Sequence, residues 1–235
     1  MKGLFFILFL VVPLFAITNQ AGIGLTVNLP QGEFRDNVDR VGFGIGIDYA
    51  AKLNPYIGLG GAFGVMTYGS ERRNEPFSTT IPDVTVDVTT SNNFLFFQLM
   101  PRISVPISIA VPYIEGRVGL NYLWTDTRID NQSDGEEVAS STNFDDIAFC
   151  YGGAAGLMVR VWKKPTRRSK HKGKSSDDSP DAVYIDLKAV YAKGGNAEYL
   201  KEGSVHRTTG GSVAYDVSES HTDLLTIGLG VDFDF

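Results

Sequence analysis

Cysteine is nearly absent from this chain. Its 235 residues include one, Cys150, so no internal disulfide framework can hold the fold, and an exported form must be stable without one. Long apolar runs are missing too. The longest, Leu4 to Ala16, has 13 residues, whereas a spanning helix needs about 20. No helical apolar period of useful length occurs, and no repeat of fixed spacing. The glycines between Gly42 and Gly64 alternate along extended segments and precede no helix, which removes a phosphate-binding loop. Basic charge is scarce outside one run. Net charge is −6, yet residues 163–174 carry seven Lys/Arg and no acid, leaving −13 on the remainder. An acidic body argues against nucleic acid as a partner, because a phosphate backbone needs a basic surface.

What is present begins with an export signal. Lys2 supplies the positive start and Leu4–Ala16 the apolar core. Residues 1–20 are expected to form a cleaved signal peptide, with cleavage after Ala16 or Ala21, and 21–235 to form one domain.

Eight segments then alternate apolar and small or polar residues: 21–29, 41–49, 56–68, 94–105, 113–125, 147–162, 183–191 and 226–235. The last is the most regular. Ile227, Leu229, Val231, Phe233 and Phe235 alternate with Thr226, Gly228, Gly230, Asp232 and Asp234. Period-two alternation marks a strand with one apolar and one polar face. Pro101 falls inside the fourth segment, where the missing donor predicts a bulge or a locally open edge. Connections alternate in kind. Residues 69–92, 126–145 and 193–220 are long and polar; 52–55 and 106–110 are short; 163–181 is long and basic at its start. Val84 to Val88 also alternates, so 69–92 is expected to carry a strand extension above a membrane.

Only helices and closed barrels satisfy every backbone group in lipid. An even strand count returns both termini to one side, with the long loops on the other. Gly230, Phe233 and Phe235 resemble the C-terminal insertion signal of bacterial outer-membrane barrels. Over 21–235 the pattern resembles the small outer-membrane β-barrel family of OmpA and OmpX type. The resemblance implies an all-β, closed antiparallel up-and-down transmembrane barrel of eight strands in a Gram-negative outer membrane. Its partners would be outer-membrane lipid and, during insertion, the barrel-assembly machinery. Two aromatic girdles are expected: Tyr49, Tyr56, Tyr113, Trp162, Phe233 and Phe235 at the periplasmic end, and Tyr68, Phe94, Tyr122, Trp124 and Tyr191 at the extracellular end.

Candidate sites follow from the polar faces. Asp48, Arg102, Glu115, Arg117, Arg160, Asp186, Lys188, Asp232 and Asp234 should point into the lumen, four positive and five negative. Near balance predicts pairing, with Arg102–Glu115 and Arg160–Asp186 as candidate ion pairs. His206, His221, Asp216 and Asp223 lie in the last extracellular loop, and Asp145 and Asp146 end the loop before it. A His221–Asp223 pair facing Asp145–Asp146 would resemble outer-membrane proteases of the omptin type, which have ten strands. No catalytic, cofactor or metal residue is assigned on this basis. Residues 163–181 could meet a periplasmic partner, and the outer loops an extracellular ligand. The leading reading is a non-enzymatic outer-membrane barrel presenting loops for surface interaction or envelope support, with a side-chain-filled lumen and no open pore. A membrane-embedded hydrolase or acyltransferase using the last two outer loops is the first alternative. A soluble calycin-like ligand-binding barrel is the second.

Overall fold

A computed structural model describes residues 18–78, 81–131, 137–165, 179–208 and 213–235. The expected signal peptide therefore lies outside the described residues, apart from its last few positions. The described residues form ten strands and one helix: β1 (Thr18–Pro30), α1 (Gly32–Val38), β2 (Gly42–Lys52), β3 (Ile57–Ser78), β4 (Ile81–Ser104), β5 (Ala110–Asn131), β6 (Glu137–Lys163), β7 (Ala182–Gly194), β8 (Asn196–Arg207), β9 (Val213–His221) and β10 (Leu224–Asp234). Eight of them close into an antiparallel barrel in the order β1-β2-β3-β4-β5-β6-β7-β10, and β8 and β9 form a separate hairpin.

Alternation sets which side chains meet lipid. In the lateral row Ile45, Leu25, Leu229, Leu187, all four are apolar, and the register places them side by side on β2, β1, β10 and β7. Leu25 is 70% exposed and Leu229 58%. Their sequence neighbours of opposite parity, Thr26 and Gly228, face inward and are buried. An apolar face running round a closed barrel fits a bilayer, in which no backbone edge is left open. This is the reverse of a soluble calycin-like barrel, and that reading falls. No helix among the described residues is long and apolar enough to cross a membrane. The chain is a transmembrane β-barrel of outer-membrane type, and barrels of that type turn their short connections to the periplasm and their long ones outward.

Pro101 leaves the register intact. Leu99 pairs with Val118 and Arg102 with Glu115, while the two pairings between them are missing. The gap is a local opening, not a bulge. Pro101 lacks a donor, and its ring faces Gly116, where an added Cβ would lie 3.4 Å from it.

Residues 69–92 carry the expected strand extension, which takes in most of the segment, while three other connections depart from expectation. Residues 126–145 are mostly strand as well. β3 to β6 run for 22 to 27 residues, against 11 to 13 in the other barrel strands. A bilayer crossing needs about 9–11, so four strands continue above the membrane as one sheet. The loop 193–220 carries the β8–β9 hairpin. The turn after β1 holds α1, which buries Phe34 and Val38.

The girdle assignment also changes. Tyr68, Phe94 and Tyr113 are 2%, 1% and 3% exposed and point inward. Each shares strand parity with lumen residues: Tyr68 with Ala62, Phe94 with Gln98, and Tyr113 with Glu115. Their burial follows from that parity. Tyr56, Trp162 and Tyr191 remain on the outside.

Candidate functional site

The lumen is built in layers from the periplasmic end. Lys52 Nζ lies 2.7 Å from Asp234 Oδ1 and over the Tyr184 ring. Above that layer, Arg102 spans the barrel. Its Nη2 is 2.6 Å from Glu115 Oε1, its Nη1 donates to Gln20 Oε1 at 2.6 Å, and its guanidinium carbon sits 4.4 Å from the Tyr113 ring centroid. The other oxygen of Glu115 accepts from Arg117 Nη2 at 2.6 Å, and the same nitrogen lies 3.5 Å from Asp48 Oδ1. Asp48 also pairs with Lys188, whose Nζ is 3.4 Å from Asp186 Oδ2. Asp186 accepts from the Tyr113 hydroxyl at 2.8 Å. The contacts therefore close a loop from Arg102 through Glu115, Arg117, Asp48, Lys188 and Asp186 to Tyr113 and back. Three cations and three anions alternate around it, so no member of this ring is left in the barrel without an opposite charge.

Arg160 and Asp186 are not brought together. Asp186 pairs laterally with Met158, and Arg160 with Tyr184, one inward step nearer the periplasm. The register shift between Arg160 and Trp162 belongs to the same strand end. Asp186 is satisfied instead by Tyr113 and Lys188, which correlated alternation along single strands does not reveal. Of the three residues read as an insertion signal, Gly230 faces Gly24 across the β1–β10 ladder. The Phe233 and Phe235 rings lie 6.5 Å apart on the outer surface, tilted by 35° to one another.

Glycine makes room for these side chains. A Cβ on Gly22 would lie 1.8 Å from Asp232 Oδ1, one on Gly64 2.3 Å from the Phe96 ring, and one on Gly156 2.3 Å from the Tyr113 ring. Eight strands enclose a space just wide enough for side chains. Large groups fit because each lies over a glycine at its laterally paired position on the neighbouring strand.

The extracellular mouth is closed by apolar packing. Phe34 of α1 is fully buried, with ring centroids 5.1 Å from Tyr199 on β8, 5.6 Å from Tyr68 on β3 and 6.3 Å from Phe94 on β4. Val38, Met66, Leu123, Ala148, Ala197 and Leu224 complete the cluster. The β8–β9 hairpin is fastened over it: Asn37 Nδ2 donates to the Tyr199 hydroxyl at 3.0 Å, and Tyr199 meets Ser220 Oγ at 2.7 Å. Between this cap and the charged ring lies a cavity of about 40 Å³.

The histidines and acids of the outer loops serve as local braces. His206 Nδ1 is 3.6 Å from Asp216 on an exposed surface. His221 Nδ1 meets the Gly194 carbonyl at 3.3 Å. Asp223 accepts from the Gly194 amide, and Asp146 from the Glu198 amide. Asp145 lies within hydrogen-bond reach of the Tyr122 hydroxyl. No described histidine faces a second acidic pair, so the omptin-like arrangement is not assembled. Sequence reading missed both Phe34 and Tyr113 as lumen residues. The basic run 163–174 lies outside the described residues beyond Pro165; Lys164 Nζ donates to the Ser179 carbonyl at 3.4 Å.

Above the membrane, β2 pairs with β3 only as far as Phe43 and Thr67, and β7 with β6 only as far as Cys150 and Gly194. β3 and β4 stay paired to Ser78 and Ile81, and β5 and β6 to Asp130 and Glu137. The outer edges of β3 and β6 thus face no partner strand among the described residues. Ion pairs brace the sheet. Arg72 donates to Asp87, a bond that raises the guanidinium pKa, and Arg128 Nε lies 2.6 Å from Asp130.

No protein-family model and no curated protein sequence matches this chain. Among solved structures it is similar to the attachment invasion locus protein Ail of Yersinia pestis, solved in complex with the heparin analogue sucrose octasulfate. That match has 15% identity and a TM-score of 0.41 over 93% of this chain and 98% of the other. It is also similar to Neisserial surface protein A, at 11% identity and TM-score 0.36 over 93% and 96%. The N-terminal β-barrel domain of Pseudomonas aeruginosa OprF follows at 14% and 0.32 over 92% and 97%.

Proposed function

We propose that this protein is a non-enzymatic outer-membrane barrel that presents its projecting four-stranded sheet to partners outside the cell. The observation that carries the reading is the pair of strand edges on β3 and β6 standing clear of the membrane belt. Unpaired edges are templates for an added strand, with main-chain bonds supplying affinity. The lumen serves stability: the charges of its ring are matched and its mouth is packed, so the barrel carries no open pore. The hydrolase alternative lacks support, because the carboxylates it needs hold backbone amides at the ends of β7 and β8.

The test is trimming. Replacing residues 70–91 and 126–142 with short turns should leave an inserted, heat-resistant barrel. Cells displaying it should adhere to immobilised serum and matrix proteins no better than cells without it, whereas the intact barrel adheres. Equal adhesion by trimmed and intact forms would refute the reading. Stepwise conductance of the intact barrel in a planar bilayer would refute the closed lumen.

The hairpin 196–221 is a poor target for the same experiment. Tyr199 and Leu200 are buried and Tyr199 packs on Phe34, so its removal opens the mouth. We also propose that the mature chain starts after Ala16. β1 begins at Thr18, and Gln20 takes a hydrogen bond from Arg102. N-terminal sequencing of the membrane form should read Ile17; a start at Gly22 would reject this boundary.

A further inference from the structure

The cavity beneath the cap has two unlike ends. Phe94, Phe96, Val190, Ala192 and Leu224 form its apolar outer wall. Asn121 and Asp232 are among the groups of its polar inner wall. Arg117 and Lys188, which also line it, are committed to carboxylates. Asn121 is not committed. It is 2% exposed, and its Oδ1 accepts no hydrogen bond. A buried acceptor without a donor is unfavourable until one arrives. The inner wall therefore asks for a donor.

The roof is a side chain in a place shaped for a ring. Phe34 stands among Tyr68, Phe94 and Tyr199, and Phe94 and Leu224 belong both to this cluster and to the cavity wall. α1, which carries Phe34, has seven residues and buries only Phe34 and Val38. Its flanks sit at positive φ, +56° at Gly32 and +45° at Asp39. Three polar ties join this segment to the hairpin: Arg40–Glu202 at 2.9 Å on the surface, the His221 amide to Glu33 at 3.4 Å, and the part-buried bond from Asn37 Nδ2 to the Tyr199 hydroxyl at 3.0 Å. Lifting this short segment gives up the burial of Phe34 and Val38 and these three ties. A ligand ring entering the same space restores that burial.

Asn121 lies one inward step below Leu123 on β5, and Leu123 packs in the Phe34 cluster. That step is about 7 Å along a strand, the length of a bicyclic aromatic. We propose that the outer half of the lumen is a binding site for a small bicyclic aromatic molecule carrying one hydrogen-bond donor, with Phe34 as its resident stand-in. The ring takes the place of Phe34 between Tyr68, Phe94 and Tyr199, and the donor reaches Asn121 Oδ1. Binding then competes with Phe34, and the affinity measured is reduced by the fraction of molecules in which α1 is lifted.

The test uses the full barrel in detergent micelles with 5-fluoroindole as probe, followed by 19F NMR against empty micelles. The wild type should show saturable binding, and Phe34→Ala should bind about tenfold more tightly or better because the competitor is gone. The N-methyl analogue, which has no donor, should bind several-fold more weakly than 5-fluoroindole. In Asn121→Leu the two probes should bind alike. Absence of saturable binding to the wild type would overturn the proposal. So would a Phe34→Ala site that ignores the donor, since that is a hole made by the substitution. If Phe34→Ala yields no heat-resistant band, Phe34→Leu makes the same comparison with an apolar side chain kept in place, and unchanged affinity in it would count against competition.

Discussion

Replacing Glu115 with alanine should destabilise the barrel by about 3–5 kcal/mol, the usual result of removing one partner from a buried ion pair. Its side chain is fully buried and accepts from two guanidiniums, Arg102 on one oxygen and Arg117 on the other. Without it, Arg102 keeps Gln20 and the face of Tyr113, and Arg117 keeps the longer contacts to Asp48 and Gln98, both at 3.5 Å. Two cations would then stand in a narrow, low-dielectric lumen with one near anion between them. Glu115→Gln retains an acceptor and should cost less, roughly 1–3 kcal/mol. Urea unfolding in micelles, read by the shift of the heat-modifiable band, separates the two variants. A loss below about 1 kcal/mol for Glu115→Ala would mean that water screens the lumen charges as it does surface pairs. A double-mutant cycle on Arg102 and Glu115 should give a coupling of about 0.5–3 kcal/mol; zero coupling would reject the pair as an energetic unit.

The membrane-spanning part of this barrel was legible because lipid and lumen impose opposite chemistry on alternate residues. Ile227, Leu229 and Val231 face out and Asp232 and Asp234 face in, as their alternation requires. The same rule fails where both faces of a strand meet water. Gly69 to Asn74, and Asp126 to Asn131 apart from Ile129, are polar on both sides, so almost nothing in their own sequence distinguishes a continuing strand from a loop. Their pairing is imposed by the strands below. α1 was hidden for a different reason. Phe34 and Val38 are one helical step apart, and seven residues cannot display a period. The charged ring sits between these cases. Parity along each strand places its members in the lumen. Which cation meets which anion depends on register across strands, and that is why Asp186 meets Tyr113 and Lys188 while Arg160 lies beside Tyr184.

Placing an arginine at Leu229 should cost about 2–4 kcal/mol, the depth-dependent penalty for a cation on the lipid face near the midplane. Leu229 is the central residue of β10, which has 11 residues from Leu224 to Asp234. Its lateral neighbours are Leu25 on β1 and Leu187 on β7, both exposed. An arginine here has no carboxylate beside it in the row and cannot reach either interface without disturbing apolar contacts. Gly228 supplies the control one residue away. It faces the lumen, and an added Cβ would meet the Lys188 stem at 3.2 Å, a flexible neighbour able to give way. Gly228→Ser should therefore fold with a loss well under that of Leu229→Arg. The measurement is refolding yield and urea midpoint in bilayers of defined thickness, where the arginine variant should lose most in the thicker bilayer, because its distance to the interface grows. Equal losses for the two variants would mean that β10 does not present opposite faces to lipid and lumen, and the inward and outward assignment of the whole barrel would fail with it.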